Sequence, residues 1–399
     1  MRMTNRIREI QSSATMRIKE QALRLKSEGK DVVDLTAGEP DFPTPEAVRA
    51  AAAQAISDGY TRYTAVSGLL EVREQAAEKF REDNQLNYQP DEIIVSTGAK
   101  QCLINALFTL AEAGDEVLIA APYWVSYPEQ VKLSGALPRI ISTDPATFKL
   151  TPENLAAAIT KKTRVLILNS PSNPSGVVYS EPEIRELAEV IRGHKIWILS
   201  DEIYEKIIYD GRRHFSPAQI PEMFERTIVV NGVSKAYAMT GWRIGFAAGP
   251  RPVIRAMTRL QGHTTSNATA VSQRAALAAL QGPQDFVEHM RDTFQKRRDL
   301  IAGLLSDAPD IRFLMPAGAF YFFLDISKFI GKSFDGGKIE NAAGFCESLI
   351  EYNQVVTVPG DAFGCAGYIR ISFAASEERL TEGMKRLKNF TDCLKDSDC

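Results

Sequence analysis

Cysteine is sparse in this chain, and its pattern suggests no pairing. The 399 residues include five, Cys102, Cys346, Cys365, Cys393 and Cys399, an odd number with no CxxC pair. That argues against a disulfide framework. Histidine is scarcer still. His194, His214, His263 and His289 are scattered, none with a His or Cys partner at ligand spacing, so no metal site is expected. Long apolar runs are missing too: nothing approaches the roughly 18 to 20 residues that cross a bilayer. The opening segment MRMTNRIREIQSSATMRIKEQALRLK is charged throughout, so no signal peptide is expected. Nor does one sign of charge dominate. Against 47 Lys+Arg stand 50 Asp+Glu, a formal net charge of -3, which gives no reason to expect nucleic acid or an anionic membrane as partner. Internal repeats and low-complexity tracts are absent. What remains is the expectation of a soluble, cytoplasmic globular protein.

The composition fits that class, with 44% hydrophobic and 24% charged residues. The length exceeds what one hydrophobic core usually serves, so two domains are expected. In the central part, short apolar runs such as EIIVS (92–96), EVLIAAP (116–122), RVLILNSP (164–171), IWILSDE (196–202) and TIVVNG (227–232) end at Gly, Pro, Asn or Asp. Segments with helical apolar spacing fill gaps between them, including 100–114, stopping at Gly114, and 181–194. Strands buried on both faces and alternating with helices imply an α/β fold, a mostly parallel sheet between helix layers. RIGFAAGP (243–250) adds a candidate antiparallel strand. After Gly282-Pro283 the texture changes. A long amphipathic helix (285–307) precedes the strand-like runs FYFFLDIS (320–327), VVTVPG (355–360) and YIRISFAA (368–375), and a helix follows from Glu377. The expected division is a large domain over 47–284 and a smaller α+β domain built from 1–46 and 285–399.

Chemically capable residues gather where the apolar runs end. In open parallel sheets, ligands bind at the carboxyl ends of the strands. Those ends carry Ser96-Thr97-Gly98-Ala99-Lys100, Tyr123-Trp124, Asn169 to Asn173, Asp201 to Tyr204 and Ser234-Lys235. Lys235 follows a strand among small residues (Gly232, Ala236, Gly241, Gly245), with Arg243 eight positions on. A lysine short of water loses its proton and attacks a carbonyl, and Arg243 suits a phosphate; a surface lysine after a strand is the plainer alternative. Asp201 closes its strand, where its carboxylate would hold a protonated heteroaromatic nitrogen or merely cap a helix. Tyr204, three residues on, would share its face in a helical turn. The turn at 96–101 offers free N–H groups for a phosphate, although it lacks the GxxxxGK[ST] spacing. Asn173 lies in a proline-locked turn, and Trp124 is either a packing residue or a stacking platform. Arg370 sits inside an apolar strand, where a bound carboxylate would balance its charge.

Taken together, GEPDFPTP, RYTAVSGLLEVRE, STGAKQ, PYWVSYPE, NSPSNPSG, SDEIYE, NGVSKAYAMTGWRIGF and GYIRISFA resemble the fold-type I pyridoxal-phosphate aminotransferases of class I. The chain is most similar to their beta subgroup, the aspartate and aspartate/prephenate aminotransferases, over nearly its whole length. The resemblance implies a homodimer with shared active sites and pyridoxal 5'-phosphate as cofactor. It assigns Lys235 as the lysine that binds the cofactor and shuttles the proton, and Asp201 as partner of the pyridinium nitrogen. Tyr204 and Asn173 would bond the phenolate oxygen, and Trp124 would stack on the ring. Arg243, Ser234 and the turn Gly98-Ala99-Lys100 would hold the phosphate, with Tyr63 reaching over from the partner subunit. Arg370 would clamp the α-carboxylate, helped by the backbone at Gly38. Some relatives place a serine three residues before the lysine; here that position is Gly232, which leaves that part of the phosphate cup open. Lys100, together with Thr15 in SSATM, implies aspartate:2-oxoglutarate transamination with prephenate as a further acceptor. The alternatives are an aromatic or alanine aminotransferase, or a β-lyase using the same cofactor.

Overall fold

The computed structural model describes residues 4–10, 14–334 and 337–394, the side chains of 5, 6 and 14–19 excepted. After a two-residue strand, β1 (Val33–Asp34), the apolar runs of the central part become β2 (Ile93–Ser96), β3 (Glu116–Ala121), β4 (Leu137–Ser142), β5 (Thr163–Asn169), β6 (Trp197–Asp201), β7 (Thr227–Gly232) and β8 (Gly245–Ala248). They form one seven-stranded sheet in the order β2-β8-β7-β6-β5-β3-β4. Only β8 is reversed, pairing antiparallel with both β2 and β7, as its sequence suggested. β2, β7 and β8 are buried at every position, which explains why their sequences are continuous apolar runs rather than alternating ones. Helices cover both faces. The helix Glu181–Arg192 starts at a capping box between Ser180 and Glu183 and buries Ile184, Leu187, Ala188 and Ile191.

The helix Ala99–Leu110 ends four residues before Gly114. Ala111 is already extended, and Glu112 to Asp115 form a turn in which Gly114 takes φ 96°. The Asp115 carboxylate accepts the Glu112 N–H there. This turn feeds β3, so the apolar pattern outlasted the helix.

The second unit is an antiparallel sheet β14-β15-β10-β9, made from β9 (Arg312–Phe313), β10 (Tyr321–Asp325), β14 (Val358–Pro359) and β15 (Tyr368–Ser372). A short pair, β11 (Ser333–Phe334) and β12 (Gly337–Lys338), lies apart from it. VVTVPG does not form one strand. It splits at Thr357 into β13 (Val355–Val356) and β14, which serve different sheets. β13 pairs in parallel with β1, Val33 opposite Val355, so both chain ends meet in this unit. Ala22, Leu25 and Val32 pack with Ile350 and Val356 to the same effect. We propose joints at 46/47 and 284/285, where the helices Glu46–Ser57 and Asp285–Leu305 begin. The second helix is anchored to both units: Arg297 makes two hydrogen bonds to Asp41 and Arg298 two to Asp210.

Candidate active site

At the carboxyl ends of the strands lies a cleft of about 540 Å³. It brings together Gly38, Ala99, Lys100, Trp124, Asn173, Asp201, Tyr204, Ser234, Lys235, Arg243 and Arg370, eleven of the candidates. Most are delivered by the end of a strand or the segment just after it, Ala99 and Lys100 as the first turn of the helix Ala99–Leu110. Arg243 sits two residues before the reversed strand β8, and Gly38 and Arg370 come from the second unit's side.

Lys235 donates a hydrogen bond to the Gly38 carbonyl, with its ammonium 5.6 Å from the Tyr204 ring and 5.8 Å from Phe320. Loss of water in the cleft, helped by Arg370 and Arg243 and opposed by Glu39 and Asp201, pushes its pKa down to about 8. A depressed lysine pKa means a free amine at lower pH. At pH 7 roughly one amine in ten is free, against about one in 3,000 for an ordinary lysine. In cofactor-free protein, Lys235 should therefore condense with an aromatic aldehyde at a rate that rises with pH and levels off above about 8. Imine absorbance followed from pH 6 to 10 measures this, and a rise continuing to pH 10 contradicts the depressed value.

Asp201 ends β6 and is buried. Burial raises its pKa to about 6, while Tyr127 and the Ile203 N–H oppose the rise. Tyr127 donates to Oδ2 at 2.7 Å, and Asn169 donates to the Asp201 carbonyl at 2.9 Å. A cation beside the carboxylate would keep it ionised. Asp201 and Tyr204 do not share a helical face. The strand ends at Asp201 and a turn follows, so that Tyr204 instead bonds Tyr321, oxygen to oxygen at 3.0 Å.

Arg370 is buried, with no carboxylate partner among the described residues. Its Nη1 donates to Asn173 Oδ1 at 3.0 Å and its Nη2 to the Thr36 carbonyl at 2.9 Å, while Nε is left without a partner. Its guanidinium lies 4.4 Å from the Tyr321 ring centroid and 5.1 Å from that of Phe363. A buried guanidinium with spare donors suits a carboxylate.

A second anion-binding corner lies at the N-terminus of the helix Ala99–Leu110. Gly98 caps it at φ 80°, and among the described residues the N–H groups of Ala99 and Lys100 find no acceptor. Arg243 lies against Gly98, so close that a Cβ there would sit 2.5 Å from its Nη2. Gly232 is explained by its neighbours: a Cβ would come within 2.9 Å of Gly245 Cα. No side chain, serine included, fits there without a shift; Ser234 and Thr240 are the hydroxyl residues that line the cleft. Lys100 points its ammonium 4.8 Å from the Trp124 ring. The enclosure of the cleft and the charge of Arg243 push its pKa down, although the residue stays exposed overall.

Two candidates stand apart. Tyr63 is 90% exposed and does not line this chain's own cleft. Thr15 falls in the helix Ala14–Ser27, but its side chain lies outside the described residues. Conversely, Tyr127, Tyr321 and Thr36 line the cleft without having been singled out for it. The tyrosines read as packing residues, and Thr36 acts through a backbone carbonyl.

Behind Asp201, Glu202, Glu205 and His214 come within 4.8 Å of one another, yet their oxygens are occupied. Glu202 takes Ser200, Ser216 and His214, while Glu205 takes Asn84 and Lys79. This is a polar network with its own cation, in which His214 Nδ1 is left without a hydrogen-bond partner.

Comparisons with known proteins show what the chain is similar to. The profile of the family described as aminotransferase class I and II matches residues 30–387. An aspartate/prephenate aminotransferase of Cereibacter sphaeroides is 46% identical over 97% of this chain and 98% of its own. An aspartate aminotransferase of Rhizobium meliloti is 47% identical over 98% of this chain and 96% of its own. Among solved structures, the aspartate aminotransferase from Rhizobium meliloti superposes with a TM-score of 0.96 at 46% identity, covering 99% of this chain and all of the other. That from Thermus thermophilus with maleate gives 0.92 at 40% identity, over 98% and 100%.

Proposed function

Given that this chain belongs to the class I and II aminotransferase family, we propose that it moves the amino group of L-aspartate to 2-oxoglutarate, with pyridoxal 5'-phosphate as cofactor and prephenate as a further acceptor. The observation that carries this reading is one cleft in which Lys235 and Asp201 meet between two separate anion sites, Arg370 and the Ala99 helix end with Arg243. The residues fit the cofactor. Free N–H groups at Ala99 and Lys100, with Arg243 and Ser234, suit its phosphate; Lys235 suits its aldehyde; buried Asp201 suits its ring nitrogen; and the unpartnered Arg370 Nε suits a substrate carboxylate. When bound, pyridoxal phosphate supplies an aldehyde to carry the amino group and a ring that accepts the electron pair released at Cα.

The chain's own residues do the rest. Lys235 would hold the cofactor through its amine, and the same amine, once free beside the substrate's Cα, would serve as the base that takes and returns the α-proton. Asp201, steadied by Tyr127, would keep the ring nitrogen protonated. Tyr204 would donate to the phenolic oxygen, joined by the amide of Asn173, whose Oδ1 is already held by Arg370. Trp124 would pack on the ring, and Arg370 would bind the α-carboxylate. With one site serving donor and acceptor in turn, the kinetics would be ping-pong. The enzyme is proposed to work as a homodimer, in which the exposed Tyr63 completes the partner's phosphate site.

Substrate choice rests on Lys100 and its proposed contact with the distal carboxylate. No carboxylate among the described residues pairs with it, so its charge is available. Steady-state comparison of aspartate, alanine and tyrosine as donors, and of 2-oxoglutarate and prephenate as acceptors, tests the assignment. Lys100→Ala should lower kcat/KM for aspartate by about a hundredfold and leave alanine nearly unchanged. An equal fall for both donors, or alanine or tyrosine preferred by the unaltered enzyme, points to the neutral-substrate alternative instead. Pyruvate released from a β-substituted amino acid without any keto acid points to a β-lyase.

A further inference from the structure

The run FYFF at 320–323 is apolar except for one hydroxyl, that of Tyr321 on β10. The residue is completely buried, in register with Ser372, with Arg370 two places along the same neighbouring strand. Phe320, Phe322 and Phe323 show that a phenylalanine would pack here. The hydroxyl is therefore the departure to be explained.

Its surroundings give an explanation. The oxygen lies 3.0 Å from the Tyr204 oxygen, and no other hydrogen-bond partner for it exists among the described residues. The ring carries the Arg370 guanidinium at 4.4 Å. Each phenol has one proton, and only one of the two can lie between the oxygens. In the proposed function, which this inference rests on, the Tyr204 proton goes to the cofactor's phenolic oxygen. The bond between the tyrosines must then use the proton of Tyr321, with Tyr204 as acceptor. We propose that Tyr321 is a positioning residue: by donating to Tyr204 Oη from beneath Arg370, it commits the Tyr204 proton to the cofactor. A phenol that accepts one hydrogen bond is a stronger donor in the next. Burial holds the Tyr321 hydroxyl above its ordinary pKa, despite the pull of Arg370, so it stays a neutral donor through the working range.

The readout is the pH titration of the visible absorbance of the lysine-bound cofactor. A donor on the phenolic oxygen competes with the imine proton for that oxygen. Weakening the donor makes the imine hold its proton more tightly. Tyr321→Phe keeps the ring, the packing and the Arg370 contact, and should move the titration midpoint upward by about 0.5 pH unit or more. Tyr204→Phe should move it further. The double variant Tyr204→Phe/Tyr321→Phe should match Tyr204→Phe alone, because Tyr321 acts only through Tyr204. An unmoved midpoint in Tyr321→Phe, or additive shifts in the double variant, overturns the assignment. A wild-type protein with no titrating visible band overturns the cofactor reading and this inference with it. A normal wild-type titration with an unresponsive Tyr321→Phe overturns this inference alone.

Discussion

Replacing Lys235 with alanine should abolish the absorbance of the lysine–cofactor imine and lower turnover by a factor on the order of 10^4. The fall is expected to be large because one amine would have two duties, holding the cofactor and moving the α-proton. The other amine in the cleft, Lys100, lies against Trp124 and is proposed to meet the substrate's distal group. Lys235→Arg separates chemistry from charge. Arginine keeps a cation able to reach the Gly38 carbonyl and the faces of Tyr204 and Phe320, but it cannot give up its proton in this range. It should be as inactive as the alanine variant. Turnover above about a hundredth of wild type in Lys235→Arg would mean that the residue serves as a cation, and the assignment would fall. Absorption spectra and single-turnover rates with aspartate decide the matter.

The next largest loss is expected at Asp201. With alanine there, the ring nitrogen has no anionic partner, and kcat should fall by a factor on the order of 10^2 to 10^3, the scale of breaking a buried charge pair. Asp201→Asn is the sharper test. The amide has the same shape and still accepts from Tyr127, which donates to Oδ2 in the native protein. Its NH2 group, however, presents a donor where the ring nitrogen needs an acceptor. The loss should match that of alanine. If Asp201→Asn stays within about tenfold of wild type, the carboxylate's charge is not what matters, and the pairing is wrong.

Much of this site was legible because its residues break patterns. Arg370 is a charge inside an apolar strand, and Asp201 and Lys235 are ionisable groups at the ends of buried runs. The sheet was legible for the same reason: continuous apolar runs need both faces covered. Four things could not be read. A tyrosine that orients a carboxylate, such as Tyr127, looks the same in sequence as one that fills a core. The acceptor at Thr36 is a carbonyl, which every residue possesses. The split of VVTVPG at Thr357 depends on which strands arrive beside it, β1 on one side and β15 on the other, and nothing local encodes that choice. The end of the helix at Leu110 rather than Gly114 is likewise decided by where β3 must begin.

The bond from Arg370 to the Thr36 carbonyl spans 334 residues of chain. Lys235 and its contact at Gly38 are 197 apart. In a polypeptide emerging from the ribosome, the residues of the large sheet and Lys235 are thus all present long before Arg370, the proposed reader of the α-carboxylate, exists. Contacts of such separation form last and slowly. Substrate recognition is therefore the final property the nascent enzyme acquires. An unfinished chain can carry a reactive amine, but it has no means of choosing an amino acid.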